Sequence, residues 1–136
     1  MIGWLCRAVL IVGVCFGSPA FAEEKLPCTD KVTTYDIKMC LKDAFEQADA
    51  DLNRAYKALR QAAEEWDAVE EDEQMKGAVK ALIAAQRAWI VYRDQNCIVE
   101  GFRARGGSLE SVFVTHCEIR LTKVRTKEMI ERVTLH

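Results

Sequence analysis

The densest group of chemically capable side chains lies in the run Ala85-Gln-Arg-Ala-Trp-Ile-Val-Tyr-Arg-Asp-Gln-Asn-Cys97. Helical spacing puts Gln86, Trp89, Arg93 and Cys97 on one side, with Tyr92 and Asn96 at its flank. Arg93 offers a planar fork of donors to a carboxylate, and Asp49, Asp51 and Asp94 are candidate acceptors. Asn53 and Tyr56 can join the same network. Two uses fit such a group. Buried, it fixes helix register around a tryptophan whose indole N–H finds an acceptor, which is the simpler expectation. Exposed, the same residue types make a Trp-Tyr-Arg patch of the kind enriched at protein interfaces.

Catalysis finds little support. A nucleophile needs a base beside it, and His116 with Ser108 or Ser111 is the only serine and histidine arrangement. Helical spacing does not align that set with an acid, so His116 is expected on a helix surface or half-buried. His136 is terminal, with no partner suggested. The run Glu64 to Gln74 carries seven acidic residues, but so exposed and crowded a series gives no reason for one raised and one ordinary pKa. It reads first as a solvated helix end. A sharper use is steering: Glu70, Glu71 and Glu73 would raise the encounter rate with a basic partner. The expectation is no enzyme and no cofactor.

The cysteines divide by position. Cys6 and Cys15 fall within residues 1–22, which read as a secretory signal peptide: Arg7, an apolar run from Ala8 to Phe16, then Gly17, Ser18 and Pro19, and Ala20-Phe21-Ala22 before the acidic pair Glu23-Glu24. The apolar run is about half the roughly 20 residues that a membrane span requires. A lipid-attachment site would need a small residue before its cysteine, and Cys15 follows Val14. Cleavage after Ala22 would leave one domain over 23–136, with no stable membrane span and a periplasmic or secreted location. It would hold Cys28, Cys40, Cys97 and Cys117, an even set that implies disulfides in an exported domain. Their wide spacing and only two histidines argue against a metal site. The full chain carries a net charge of −2 with both signs interspersed, which does not suit nucleic acid.

Three helices must position these groups. Apolar or small residues at Ile37, Leu41, Ala44, Ala48, Leu52, Ala55, Leu59, Ala63 and Trp66 predict a helix over about 34–67, capped by Thr33 with Asp36. A turn is expected near 69–73. Met75, Val79, Leu82, Gln86, Trp89, Arg93 and Cys97 predict a second helix over about 74–104. Gly106-Gly107 ends it, and Ser108 is placed to cap a third over about 109–133, with Phe113, Cys117, Leu121, Val124, Met129 and Val133 on its apolar face. The simplest assembly is an all-α, antiparallel three-helix bundle stapled by two disulfides. Cys97 and Cys117 stand nearly equidistant from the glycine turn and so pair, leaving Cys28 for Cys40. The other two connectivities stay open at this point, because Cys40, Cys97 and Cys117 all lie toward one end of such a bundle.

In order along the chain stand Cys28 and Cys40; Ala48-Asp49, Leu52-Asn53 and Tyr56; Ala85-Gln-Arg-Ala-Trp-Ile, Tyr92-Arg93-Asp94 and Cys97; then Gly106-Gly107-Ser108, Cys117, Thr122 and Arg125. This series resembles the LprI-type lysozyme-inhibitor-like family of small exported bacterial proteins, over nearly all of the chain after the leader. The resemblance implies an exported binding protein that inhibits a lysozyme-type cell-wall hydrolase. The chain departs from lipoprotein members in lacking a convincing lipid-attachment site. A fold does not carry a binding surface with it, so a second expectation stands beside the first: an envelope interaction or accessory module that binds another exported protein.

Overall fold

The computed structural model describes residues 27–135, so the leader expected over 1–22 lies outside the described residues. Helix α1, Thr34–Val69, begins where expected. The backbone of Thr33 is extended, its Oγ1 accepts the Asp36 N–H at 3.1 Å, and its hydroxyl donates to the Asp36 carboxylate at 2.6 Å. No glycine or proline interrupts α1, and ion pairs one turn apart, Lys42–Glu46 and Arg60–Glu64, line its outer side. Leu41, Ala48, Leu52, Ala55, Leu59 and Ala63 make its buried seam. Trp66, expected to continue that seam, stands at its exposed edge.

Helix α2, Ala78–Gly101, starts four positions later than the spacing predicts and is extended by a 3-10 turn, Phe102–Ala104. Local acids hold the preceding bend open: Glu70 accepts the Asp72 N–H, and Asp72 accepts the Gln74 N–H. Side chains that bind nearby backbone in this way compete with a helix for its donors. Met75 therefore lies exposed in the bend rather than on the helix. The cap comes from afar, as the Asp67 carboxylate of α1 accepts the N–H groups of Gly77, Ala78 and Val79 at 2.8, 2.8 and 3.1 Å.

Helix α3, Glu110–Thr134, departs from expectation at its start and in its buried face. Leu109, not Ser108, occupies the N-cap position, and no side chain caps it. Glu110 organises the turn instead, pairing with Arg105 and accepting the Gly106 N–H at 2.7 Å, with Gly106 at a φ of 76° that suits glycine. Of the six residues expected on the apolar face, Cys117 and Met129 are buried; Phe113, Leu121 and Val133 are half-buried, and Val124 is exposed. The buried face is Val112, Cys117, Ile119, Thr122, Arg125 and Met129. It is rotated because Thr122 and Arg125 find partners inside.

The three helices form an antiparallel bundle, with no strand among the described residues. The α1–α3 contact is the most extensive, and α2 leans on α3 more than on α1. Gly101 allows the α2–α3 approach, since a Cβ there would meet Val114 Cγ2 at 2.7 Å. Leu52, Leu59, Leu82 and Met129 fill one part of the core, and Leu41, Val112 and Ile119 the other. Each fully buried side chain of this size contributes roughly 1.5–3 kcal/mol.

Disulfides join Cys28 to Cys40 and Cys97 to Cys117, with Cα separations of 6.0 and 5.4 Å, the connectivity that the spacing predicts. The first ties the leading turn to α1, and the second ties α2 to α3. Neither crosses from α1 to the other two helices. No helix among the described residues is long and apolar enough to cross a membrane.

Candidate functional site

Two arginines occupy the seam where the helices meet. Arg93 of α2 is 9 % exposed and Arg125 of α3 is 7 % exposed, so each needs partners to offset lost hydration. Arg93 directs Nε and Nη2 at one oxygen of Asp94, both at 2.9 Å, and Nη1 toward the Thr122 hydroxyl at 3.4 Å. Asp49 of α1 stands 4.0 Å from Nη1 and accepts a 2.9 Å hydrogen bond from Asn53. Arg125 repeats the plan, donating to Gln86 of α2 at 3.3 Å and to Glu128 at 3.0 Å. Each guanidinium thus takes one carboxylate from its own helix and one neutral acceptor from a neighbour.

The aromatic residues complete this seam. Both guanidinium carbons approach the Trp89 ring, at 5.3 Å for Arg93 and 6.0 Å for Arg125, and Arg93 also lies 5.4 Å from the Phe45 ring. Trp89 is half-buried and packs with Tyr56 against the cluster around Leu52 and Leu59. Helix α1 thus supplies Phe45, Asp49, Asn53 and Tyr56; α2 supplies Gln86, Trp89, Arg93 and Asp94; α3 supplies Glu118, Thr122 and Arg125. Burial pushes the Glu118 carboxyl above its usual range; nearby Arg93 opposes the shift and Asp94 adds to it.

The arrangement brings most of the expected residues together but faces them inward. Arg93 is buried and Trp89 half-buried, so an exposed Trp-Tyr-Arg patch does not exist; Tyr92 alone of the three turns outward, at 57 % exposure. Asp51 is not part of the group, since it pairs with Arg54 and Gln47 on the outer side of α1. Phe45, Glu118 and the burial of Thr122 and Arg125 escaped the sequence reading. The available signal was the three-or-four spacing of Ile119, Thr122, Arg125 and Met129, masked by the polar types at its middle.

His116 and Ser111 line different grooves, the histidine beside Glu100, Arg103 and Arg120, the serine beside Lys38, Lys42 and Glu118. No serine–histidine pair forms between them. Burial pushes the His116 pKa down, and its Nδ1 has no hydrogen-bond partner. All four described cysteines are bridged. Among the described residues no group of three or more His, Cys, Asp or Glu side chains is placed to hold a metal ion. The acidic residues at 70–73 are exposed in the α1–α2 bend, with Glu73 paired to Lys76 and Glu70 folded onto the Asp72 amide.

What this geometry does chemically is hold three helices in one register and present outer faces for contact. Comparison with known proteins finds one relative and one family over most of the chain. An uncharacterized protein of Rhizobium meliloti (strain 1021) is 40 % identical over 121 residues, covering 87 % of each chain. No solved structure matches the chain. The family described as lysozyme inhibitor LprI matches residues 28–129, which include both disulfides and the two-arginine seam, and the chain belongs to that family.

Proposed function

We propose that this protein is an exported binding protein that occludes a lysozyme-type cell-wall hydrolase. The family match over 28–129 carries the reading. The exposed acidic bend supports it, because negative potential at 70–73 would draw in a basic hydrolase and raise the encounter rate. Residues 1–22 would direct export and be removed after Ala22, delivering the domain to the oxidising compartment that its disulfides require.

Titration of the oxidised protein into a cell-wall lysis assay with several lysozyme types tests the reading. Near-stoichiometric protection that is lost on reduction is the expected result. Replacing Glu70, Glu71 and Glu73 together with glutamine should slow association severalfold and flatten its salt dependence, leaving dissociation nearly unchanged. Absence of protection from every lysozyme type, by protein shown to be folded, would move the protein to the second reading, an interaction module for another envelope protein.

A further inference from the structure

Helix α2 carries apolar side chains on its outer side as well as toward the core. Its inner face carries the seam, yet Val91, Val99 and Phe102 on its outer face are 63 %, 69 % and 57 % exposed. From Ala84 to Phe102, Arg87 is the only exposed residue with a charge. On α1, by contrast, the outer side is laced with ion pairs. A surface helix normally carries its charged residues opposite the core, so this stripe is shaped for contact.

The stripe is graded by size. Ala84 and Ala88 occupy its first half, Val91 its middle, and Ile98, Val99 and Phe102 its second half, with the exposed, polar Gln95 among them. We propose that α2 is a self-association helix, pairing antiparallel with α2 of a second copy about a two-fold axis near Val91. That symmetry lays the small half of each helix against the large half of the other, so that the alanines admit the bulkier side chains. A two-fold interface of this kind must be self-complementary, and a small-to-large gradient provides that.

Charge distribution favours the same arrangement. Arg87 and Asp94 lie two turns apart on one flank of α2. A two-fold axis midway between them sets Arg87 of each copy beside Asp94 of the other, a half-exposed carboxylate whose Oδ1 also holds Arg93 of its own helix. The same axis also brings the exit of α2, where Arg103 and Arg105 pair with Glu100 and Glu110 of their own copy, toward the acidic 70–73 bend at the opposite end of the second copy's helix. A parallel pairing would instead set like ends together.

The area sets the strength. Twenty-four helical residues span about 36 Å. The stripe from Ala84 to Phe102 covers about 28 Å of that length, so at a width of about 15 Å it buries about 400 Å² on each copy, roughly 800 Å² together, the size of a weak, transient contact. A reversible dimer that dissociates in the upper micromolar range is expected, and the inference stands whether or not the protein inhibits a hydrolase.

Sedimentation of the oxidised protein from low micromolar to near-millimolar concentration tests it. The expected result is a monomer–dimer equilibrium that Val91→Glu weakens by at least about tenfold, since two carboxylates would meet at the axis; circular dichroism should show helicity kept. Direction is read by oxidative cross-linking. A mixture of Ala84→Cys and Ile98→Cys variants should form the mixed dimer, and neither alone should link to itself. Monomer at every concentration, a dimer indifferent to Val91→Glu, or like-with-like cross-linking would overturn the proposal. A monomer whose Val91→Glu variant loses affinity for a hydrolase would give this face to that partner instead, and equally end the self-pairing.

Discussion

Glu118 sits among opposing influences: burial raises its pKa, Arg93 lowers it and Asp94 raises it again. The net folded value lies above that of the unfolded chain. The stability linked to it is therefore complete below the unfolded value, about 4.3, and is lost as pH rises through the folded one. Glu118→Gln should raise the melting temperature modestly at pH 7, with the gain vanishing near pH 4. Melts of both proteins across that range check this, and a gain independent of pH would refute it. His116 acts oppositely, since its lowered pKa means that stability is lost as pH falls below about 6.5. None of this could be read from the sequence. Arg93 and Asp94 stand on α2, and only the fold brings them to α3. Arg93 itself was legible because it shares a helical face with Gln86, Trp89 and Cys97.

At the scale of elements, α1 was legible almost to its ends, because its seam repeats without interruption and its cap is three residues from its partner. The start of α2 was not. Its cap, Asp67, lies ten residues upstream of the first amide that it accepts. Three backbone donors hold that carboxyl below its usual range. Stability from this group is therefore present above the unfolded value near 4 and lost as pH falls through the folded one. Asp67→Ala should release the first turn of α2, lower the melting temperature by several degrees, and speed hydrogen exchange at Gly77, Ala78 and Val79 above all. Unchanged exchange at those amides would count against the cap. The register of α3 was missed for a different reason. Thr122 and Arg125 are polar by type yet buried among partners, so the apolar pattern pointed to Leu121 and Val124 instead.

The whole molecule is stapled unevenly. Topology and the preferred cysteine pairing were legible because a glycine turn sits nearly midway between Cys97 and Cys117, but the structure was needed to exclude the other two pairings, since Cys40 lies at the same end of the bundle. The outer face of α2 was less legible, since Val91, Val99 and Phe102 are apolar by type yet lie opposite the seam of Gln86, Trp89 and Arg93. Removing the Cys97–Cys117 bridge with paired alanines should cost about 3 kcal/mol, as expected for a loop of this length. The loss should exceed that for Cys28–Cys40, whose cysteines are only half-buried. Denaturant titration of both double variants decides the order. Because neither bridge crosses from α1 to its neighbours, one backbone cut in the exposed bend before Gly77 would leave a noncovalent pair of fragments. A native column would show one species held by the α1–α3 contact, and a denaturing, non-reducing gel would show two. Separately made pieces should then reassemble, with α1 as a removable part of the bundle.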